Sequence, residues 1–195
     1  MKNHHDFPEL SWAEEARTKL LTTAIFTVSK AGRRSSSGKR GDFLLVDAAD
    51  WVTVIPVTIG EGGERRFVMV RQFRHGCGCV TLEFPGGIVN DGEDPAHAAA
   101  RELLEETGWD SGKLVLIGQT NPNPSFMTNR CHFFLADHAV EVGAPTPDPL
   151  EELDVVVVPE RDLLDNSEVA RLFAQHAIML AAMITYRRYR DFHAQ

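Results

Sequence analysis

Short apolar runs, bounded by Gly, Pro and Asp, recur through most of the chain and are typical of β-strands. Glu61 to Glu64 reads as a hairpin turn between two of them. The polar, basic stretch from Ala31 to Asp42 predicts a loop. The predicted strands are Leu21 to Val28, Phe43 to Val46, Trp51 to Thr58, Phe67 to Phe73, Leu114 to Gln119, Cys131 to Ala136 and Leu153 to Val158.

Two segments have the period of a helix instead. Asp94 followed by Pro95 is a helix start, and Gly108 is a matching stop, so one helix is predicted between them. From Glu168 to Tyr189 apolar residues recur every three or four positions, which predicts one amphipathic helix. The elements together predict a mixed α/β protein.

Composition narrows the class of protein. The chain has 195 residues, 43% of them hydrophobic, and a formal net charge of −8. We therefore expect one soluble catalytic or binding domain, and no nucleic-acid partner, since a general nucleic-acid binder needs a basic face. No apolar stretch is long enough to span a bilayer, and the N-terminus lacks the apolar core of a secretory signal. Three cysteines, with Cys77 and Cys79 too close in sequence for an ordinary bridge, favour a reducing, cytoplasmic location.

The first predicted helix has an unusual acidic face. At about 100° per residue, Glu102, Glu105 and Glu106 lie together, away from the apolar stripe of the helix. Such like charges repel one another, unless a divalent cation bridges them. Carboxylate oxygens favour Mg²⁺, with Mn²⁺ as a substitute. The alternative is a solvated acidic face without a ligand.

The spacing around this helix resembles a known motif. Gly87 is followed after five residues by Glu93, and after seven more by the segment Arg101 to Trp109, a pattern that resembles the Nudix box. The resemblance implies a Nudix-type α/β/α sandwich with a mixed sheet over residues 50–195, preceded by an N-terminal β segment at residues 1–49. It also implies metal-dependent hydrolysis of a nucleoside diphosphate linked to another group.

The same resemblance assigns roles at the box. Glu102, Glu105 and Glu106, with the backbone carbonyl of Gly86, correspond to the metal ligands. Arg101 would hold the carboxylates in place through charge-assisted hydrogen bonds.

The general base of many Nudix enzymes lies outside the box. The acidic cluster before the last predicted strand resembles the base-carrying loop of ADP-ribose pyrophosphatases, with Glu151 as the first choice and Glu152 as the second. Glu105 is the fallback, and solvated loop acids are the alternative reading.

Further features resemble the ADP-ribose pyrophosphatase branch. They are the segment Val70 to Arg74, the entry Glu83 to Gly87, and Pro124, fifteen residues beyond Trp109. The resemblance implies ADP-ribose as substrate, yielding AMP and ribose 5-phosphate. The loop around Pro124 departs from the pattern of the branch, which leaves GDP-mannose or another nucleotide sugar as the alternative.

Several side chains are candidates for substrate contact. Trp51 offers a stacking face for a base. Arg71 and Arg74 have opposite parity on a strand, so we expect only one of them to reach the ligand. Asn129 and Arg130 are candidates for phosphate or ribose. Each of these residues has an alternative structural role in the core or on the surface.

The branch also implies an assembly. Its N-terminal segment supplies strands exchanged between subunits, so we expect a homodimer formed through residues 1–49. A rival hypothesis is a Nudix-fold sensor that binds a nucleotide without cutting it. The complete glutamate set argues against a sensor, which has no need of it.

Overall fold

A computed structural model describes residues 7–163 and 168–193. The chain divides into two units. The first runs up to Ala49 and includes residues 121–129, and the second comprises Asp50–Thr120 with the chain from Arg130 onward. Within the described residues, no helix has the length and apolarity needed to cross a membrane.

The first unit is built on a three-stranded antiparallel sheet. Its strands are β1 (Trp12–Thr22), β2 (Phe26–Ser35) and β3 (Arg40–Ala48). Residues 121–129 join this unit along β3, where the Val46 N–H donates to the Phe126 carbonyl at 2.8 Å.

The prediction of a loop from Ala31 to Asp42 is wrong, because β2 and β3 occupy most of it. Its arginines pair with glutamates of β1, as where Arg34 donates to Glu15 at 2.7 Å. Such cross-strand pairs stabilise a polar ribbon that has little apolar alternation. The chain turns only at residues 36–39, where Gly38 has a φ of 86°.

The second unit contains the other strands and the described α-helices. Its strands are β4 (Trp51–Ile59), β5 (Arg65–Arg74), β6 (Cys79–Glu83), β7 (Trp109–Asp110), β8 (Leu114–Thr120), β9 (Cys131–Asp137), β10 (Val140–Glu141) and β11 (Leu153–Pro159). Its helices are α1 (Pro95–Thr107), α2 (Glu168–Phe173) and α3 (Ala177–His193). The main sheet is mixed, with the order β11-β5-β4-β9-β8, and β6 pairs with the outer half of β5. Its β4–β9 pair is parallel, and the other pairs are antiparallel.

Helices cover both faces of this sheet. Val52 and Val54 of β4 pack with Leu103 of α1 in one cluster. Ile55 and Val57 belong to the other cluster, with the residues of α3. Successive side chains of β4 point to opposite faces of the sheet, so the strand contributes to both hydrophobic clusters. The expected α/β/α sandwich with a mixed sheet is confirmed.

Strand β5 changes partners along its length. It pairs with β4 only over Arg65 to Phe67 and with β6 from Val70 onward. Where β5 no longer pairs with β4, the edge of β4 binds the loop between β6 and α1, which we call the box loop. There the Val52 and Val54 N–H groups donate to the carbonyls of Gly87 and Pro85. This arrangement brings the Gly-Gly turn against the centre of the sheet.

The ends of α1 follow the sequence signals. Asp94 accepts from the Ala96 N–H at 2.8 Å, and Gly108 closes the helix with a φ of 73°. The predicted C-terminal helix, by contrast, is two helices. The His176 ring accepts from the Ile178 N–H at 3.2 Å, so it caps α3 and separates it from α2.

Candidate active site

An acidic cleft of about 970 Å³ lies in the second unit. Its walls come from the start of β4, the β5–β6 hairpin, the box loop, α1, and the segment before α3. Six carboxylates line it against two arginines. The carboxylates are Glu83, Glu102, Glu105, Glu106, Asp148 and Glu151, and the arginines are Arg74 and Arg101.

Glu106 is fixed at the floor of this cleft by the box loop. The Gly86 N–H donates to its Oε2 at 2.9 Å. A Cβ on Gly86 would collide with the Val52 carbonyl oxygen, so only glycine allows this approach. With 3% of its surface exposed, Glu106 is buried, which corrects the expectation that all three glutamates face away from the core. Burial raises the pKa of Glu106 to about 8, with the charges of Glu102 and Glu151 adding to the effect.

Glu102 is held against the neighbouring glycine. A Cβ on Gly87 would overlap the Glu102 carboxylate, so the second glycine of the turn leaves room for this side chain. Burial raises the pKa of Glu102 despite a hydrogen bond from Arg101. Both carboxylates therefore resist being charged without a positive partner.

Arg101 ties the helix to the loop. Its guanidinium donates to both oxygens of Glu93, to Glu102 at 2.8 Å and to Glu105 at 3.1 Å, and also to the Ile88 carbonyl. The bonds from Arg101, with the Asn90 N–H, lower the pKa of Glu93 to about 2. Arg101 thus positions the carboxylates, and Glu93 anchors Arg101.

The donor set suits a hard cation. Among residues 7–163 and 168–193, no three His, Cys, Asp or Glu side chains already converge as a ready metal cluster. The box glutamates and Gly86 nevertheless offer only oxygen atoms, and two of those carboxylates have raised pKa values that a cation would reverse. Few protein ligands, completed by water, are the usual arrangement for Mg²⁺. The residues therefore fit the expected divalent ion.

The two candidate bases are placed differently. Glu151 lines the cleft, where the Glu151 N–H donates to the Asp148 carbonyl at 2.8 Å. Its charge contributes to the raised pKa values of Glu102 and Glu106, after burial. Glu152 is exposed and is not among the residues that line the cleft.

The two candidate arginines of β5 are also separated. Arg74 lines the cleft and forms a two-pronged pair with Glu83, at 2.8 and 2.7 Å. Arg71 is paired with Asp154 on β11 at 2.8 Å and does not line the cleft. Glu83 has 1% of its surface exposed, and the hydrogen bonds of Arg74 keep its pKa low against the opposing effect of burial.

Of the remaining candidates, only Trp51 is among the residues that line the cleft. Trp51 lines the cleft at the start of β4, and its backbone N–H donates to the Arg130 carbonyl. Arg130 itself is exposed and does not line the cleft. Pro124 and Asn129 belong to the first unit. Pro124 is exposed, whereas Asn129 is buried and donates to the Ala49 carbonyl at 3.1 Å.

Sequence reasoning missed several polar residues of the cleft, among them Glu83 and His176. The sequence pattern places Glu83 only in the entry to the box, and it assigns no role in a site to His176. The structure places the His176 ring 3.8 Å from Glu83, at the cleft. A signal for Glu83 was available, since a lone acid after a run of apolar residues needs a buried partner.

The fold and the box agree with known proteins. Residues 50–181 match the family model of the NUDIX domain. A solved structure described as an ADP compounds hydrolase superposes with a TM-score of 0.74 at 22% identity, covering 93% of this chain and 96% of that one.

Curated relatives extend the comparison. The ADP-sugar pyrophosphatase of Mus musculus is 35% identical over 144 residues, which is 71% of this chain and 66% of that protein. The ADP-ribose pyrophosphatase of Bacillus subtilis is 36% identical over 101 residues, or 52% of each. The chain thus spans less than two thirds of the length of these relatives. By its domain match and its box, it belongs to the Nudix family and resembles the ADP-ribose pyrophosphatase branch.

Proposed function

We propose that this protein hydrolyses the pyrophosphate bond of a nucleoside diphosphate sugar, with ADP-ribose as the first substrate and AMP and ribose 5-phosphate as products. The observation that carries the proposal is the contact of the two box glycines with two glutamates at the cleft. Gly86 donates to Glu106, and Gly87 leaves room for the Glu102 carboxylate. The names of the relatives, an ADP-sugar and an ADP-ribose pyrophosphatase, support the choice of substrate.

The chemistry follows from the cleft residues. Glu102, Glu105, Glu106 and the Gly86 carbonyl would hold Mg²⁺, with Mn²⁺ as a substitute. The bound ion would neutralise the diphosphate and lower the pKa of the attacking water. Glu151 would accept the proton of that water, because it lines the cleft and its charge acts on Glu102 and Glu106 there.

Substrate contacts are proposed at the same cleft. Trp51 provides an aromatic surface for the base, and Arg74 offers the guanidinium edge that Glu83 leaves unoccupied. Arg71 and Arg130 do not line the cleft, so we propose only that their charges attract the anionic substrate as it approaches. We also propose Pro124 as a contact of the second sugar, on resemblance alone, and Asn129 as a contact of phosphate or ribose.

A substrate panel tests the proposal. ADP-ribose, GDP-mannose, UDP-glucose, NADH, diadenosine polyphosphates and deoxynucleoside triphosphates are incubated with Mg²⁺ and scored for released monophosphate. ADP-ribose should be turned over fastest. Preference for GDP-mannose would favour the alternative suggested by the departing loop around Pro124. Tight binding of one compound without turnover of any would establish a sensor instead.

We further propose a homodimer formed through residues 1–49, in a reducing, cytoplasmic setting. Supporting it, β1 and β3 leave large apolar side chains exposed, among them Leu20, Leu21 and Leu44. Light scattering coupled to size exclusion should give twice the chain mass of 21.7 kDa. Leu44→Glu should lower that mass, and a wild-type monomer at micromolar concentration would contradict the proposal.

A further inference from the structure

Two cysteines meet at the edge of the cleft, which Cys77 lines. Cys77 and Cys79 flank Gly78 where the chain turns from β5 into β6, and their Sγ atoms lie 3.1 Å apart. Gly78 has a φ of 66°, the left-handed conformation that glycine adopts without strain. This turn brings together two thiols that their short sequence spacing would not suggest as partners.

We propose that Cys77 and Cys79 form an oxidisable dithiol, which a peroxide converts into a reversible intrachain disulfide. Consecutive Cα atoms are about 3.8 Å apart. Because the chain turns at Gly78, the Cα atoms of Cys77 and Cys79 stay within the range that a disulfide can span. Exposed or strained bridges of this kind are the readily reduced ones. The proposal concerns a modification and does not depend on the proposed substrate.

The structure gives the two thiols different roles. Cys77 is exposed and lines the cleft, and the Cys79 thiol donates a hydrogen bond to its sulfur. That hydrogen bond, with the Cys79 N–H, lowers the pKa of Cys77, whereas the pKa of Cys79 is raised. The thiolate is the reactive form, so Cys77 attacks and Cys79 resolves.

The reaction balances with one equivalent of hydrogen peroxide. The Cys77 thiolate attacks one oxygen, the O–O bond breaks, and hydroxide leaves with the proton that Cys77 gave up, as water. The resulting sulfenic acid is attacked by the Cys79 sulfur, and the S–O bond breaks to release a second water. Two thiols are oxidised by two electrons, and the peroxide is reduced.

The third cysteine is an internal control. Cys131 is buried on β9, and burial raises its pKa to about 11. It should stay reduced under conditions that oxidise the pair. Equal oxidation of Cys131 would indicate unselective damage and overturn the proposal.

Mass spectrometry of the whole chain, digested after peroxide treatment, tests the step. We expect the peptide that contains both cysteines to lose two hydrogens and to regain them with dithiothreitol. In Cys79→Ser, a dimedone adduct should accumulate on Cys77, and Cys77→Ser should give neither adduct nor bridge. Thiols that remain free, or a bridge between two chains on a non-reducing gel, would refute the proposal.

A glycine pair tests the geometry. Gly78→Ala strains the left-handed turn and should slow closure of the disulfide about fivefold, leaving the sulfenic acid longer-lived. Gly76→Ala is the matched control, because a Cβ there meets open space and Gly76 is not among the glycines with positive φ. Equal closure rates in both variants would show that the turn does not position the thiols.

Discussion

The Gly86 amide and the Glu106 carboxylate are joined by a 2.9 Å hydrogen bond that links the box loop to the helix twenty residues later. Glu106 cannot move without releasing that donor, and Gly86 cannot be enlarged without meeting β4. The bond therefore fixes the floor of the cleft from two elements at once.

Glu106→Gln should remove most activity and keep the fold. An amide oxygen can still accept from Gly86, but it lacks the charge needed to hold a cation. We expect turnover of ADP-ribose with Mg²⁺ to fall about 100-fold or more, the scale of losing one charge-stabilising group. The exposed Glu141→Gln on β10 is the control and should be silent. A wild-type rate in Glu106→Gln would mean that the metal assignment is wrong.

Metal-free protein should become less stable as the pH rises toward 8. The pKa of Glu106 is about 8 in the folded chain, against an ordinary 4.5. Its contribution is therefore fully present below pH 4.5 and is lost as the pH rises through about 8. Unfolding midpoints measured with a chelator in wild type and Glu106→Gln isolate this group. Parallel pH profiles would contradict the raised pKa.

Two arginines of β5 should differ sharply in their effect on stability. Arg74→Met removes the guanidinium partner of the buried Glu83 and leaves it only the Thr81 hydroxyl and the His176 ring. We expect a loss of about 3 kcal/mol, the low end of the range because these two groups remain and Arg74 itself is partly exposed. Arg71→Met breaks a solvent-exposed pair with Asp154 and should cost less than about 1 kcal/mol. Urea unfolding of both variants provides the measurement. Similar losses in the two variants would show that the burial of Glu83 does not determine the change in the free energy of unfolding.

Glu151→Gln and Glu152→Gln should separate the candidate bases. Only Glu151 lines the cleft, so its variant should lose rate while KM stays near wild type. Glu152→Gln should behave as wild type and serves as the matched control. If neither variant changes the rate, the role of base returns to Glu105 in the box.

Local signals in the sequence predicted the parts of the fold that depend on short-range chemistry. The Asp94 cap, the Gly108 stop and the apolar strand β11 occur where the pattern indicates. The α/β class follows from them, because such caps and strand runs are largely independent of distant contacts.

The features that were missed depend on tertiary contacts. The helical wheel places Glu106 on the acidic face, yet the box loop covers it, and no pattern within α1 shows that loop. Strand β1 lacks alternation, because pairing with β2 stabilises it rather than a buried face. The break before α3 comes from capping by His176, which periodicity alone does not reveal.

The pairing of both cleft arginines has a thermodynamic consequence. Arg74 is already neutralised by Glu83, and Arg101 by Glu93, so neither contributes its full charge to an incoming anion. On the proposed function, a diphosphate and a divalent cation should therefore bind cooperatively, and each should raise the affinity of the other by the same factor. Because carboxylates outnumber arginines around the cleft, a diphosphate without the cation should have a low affinity for it.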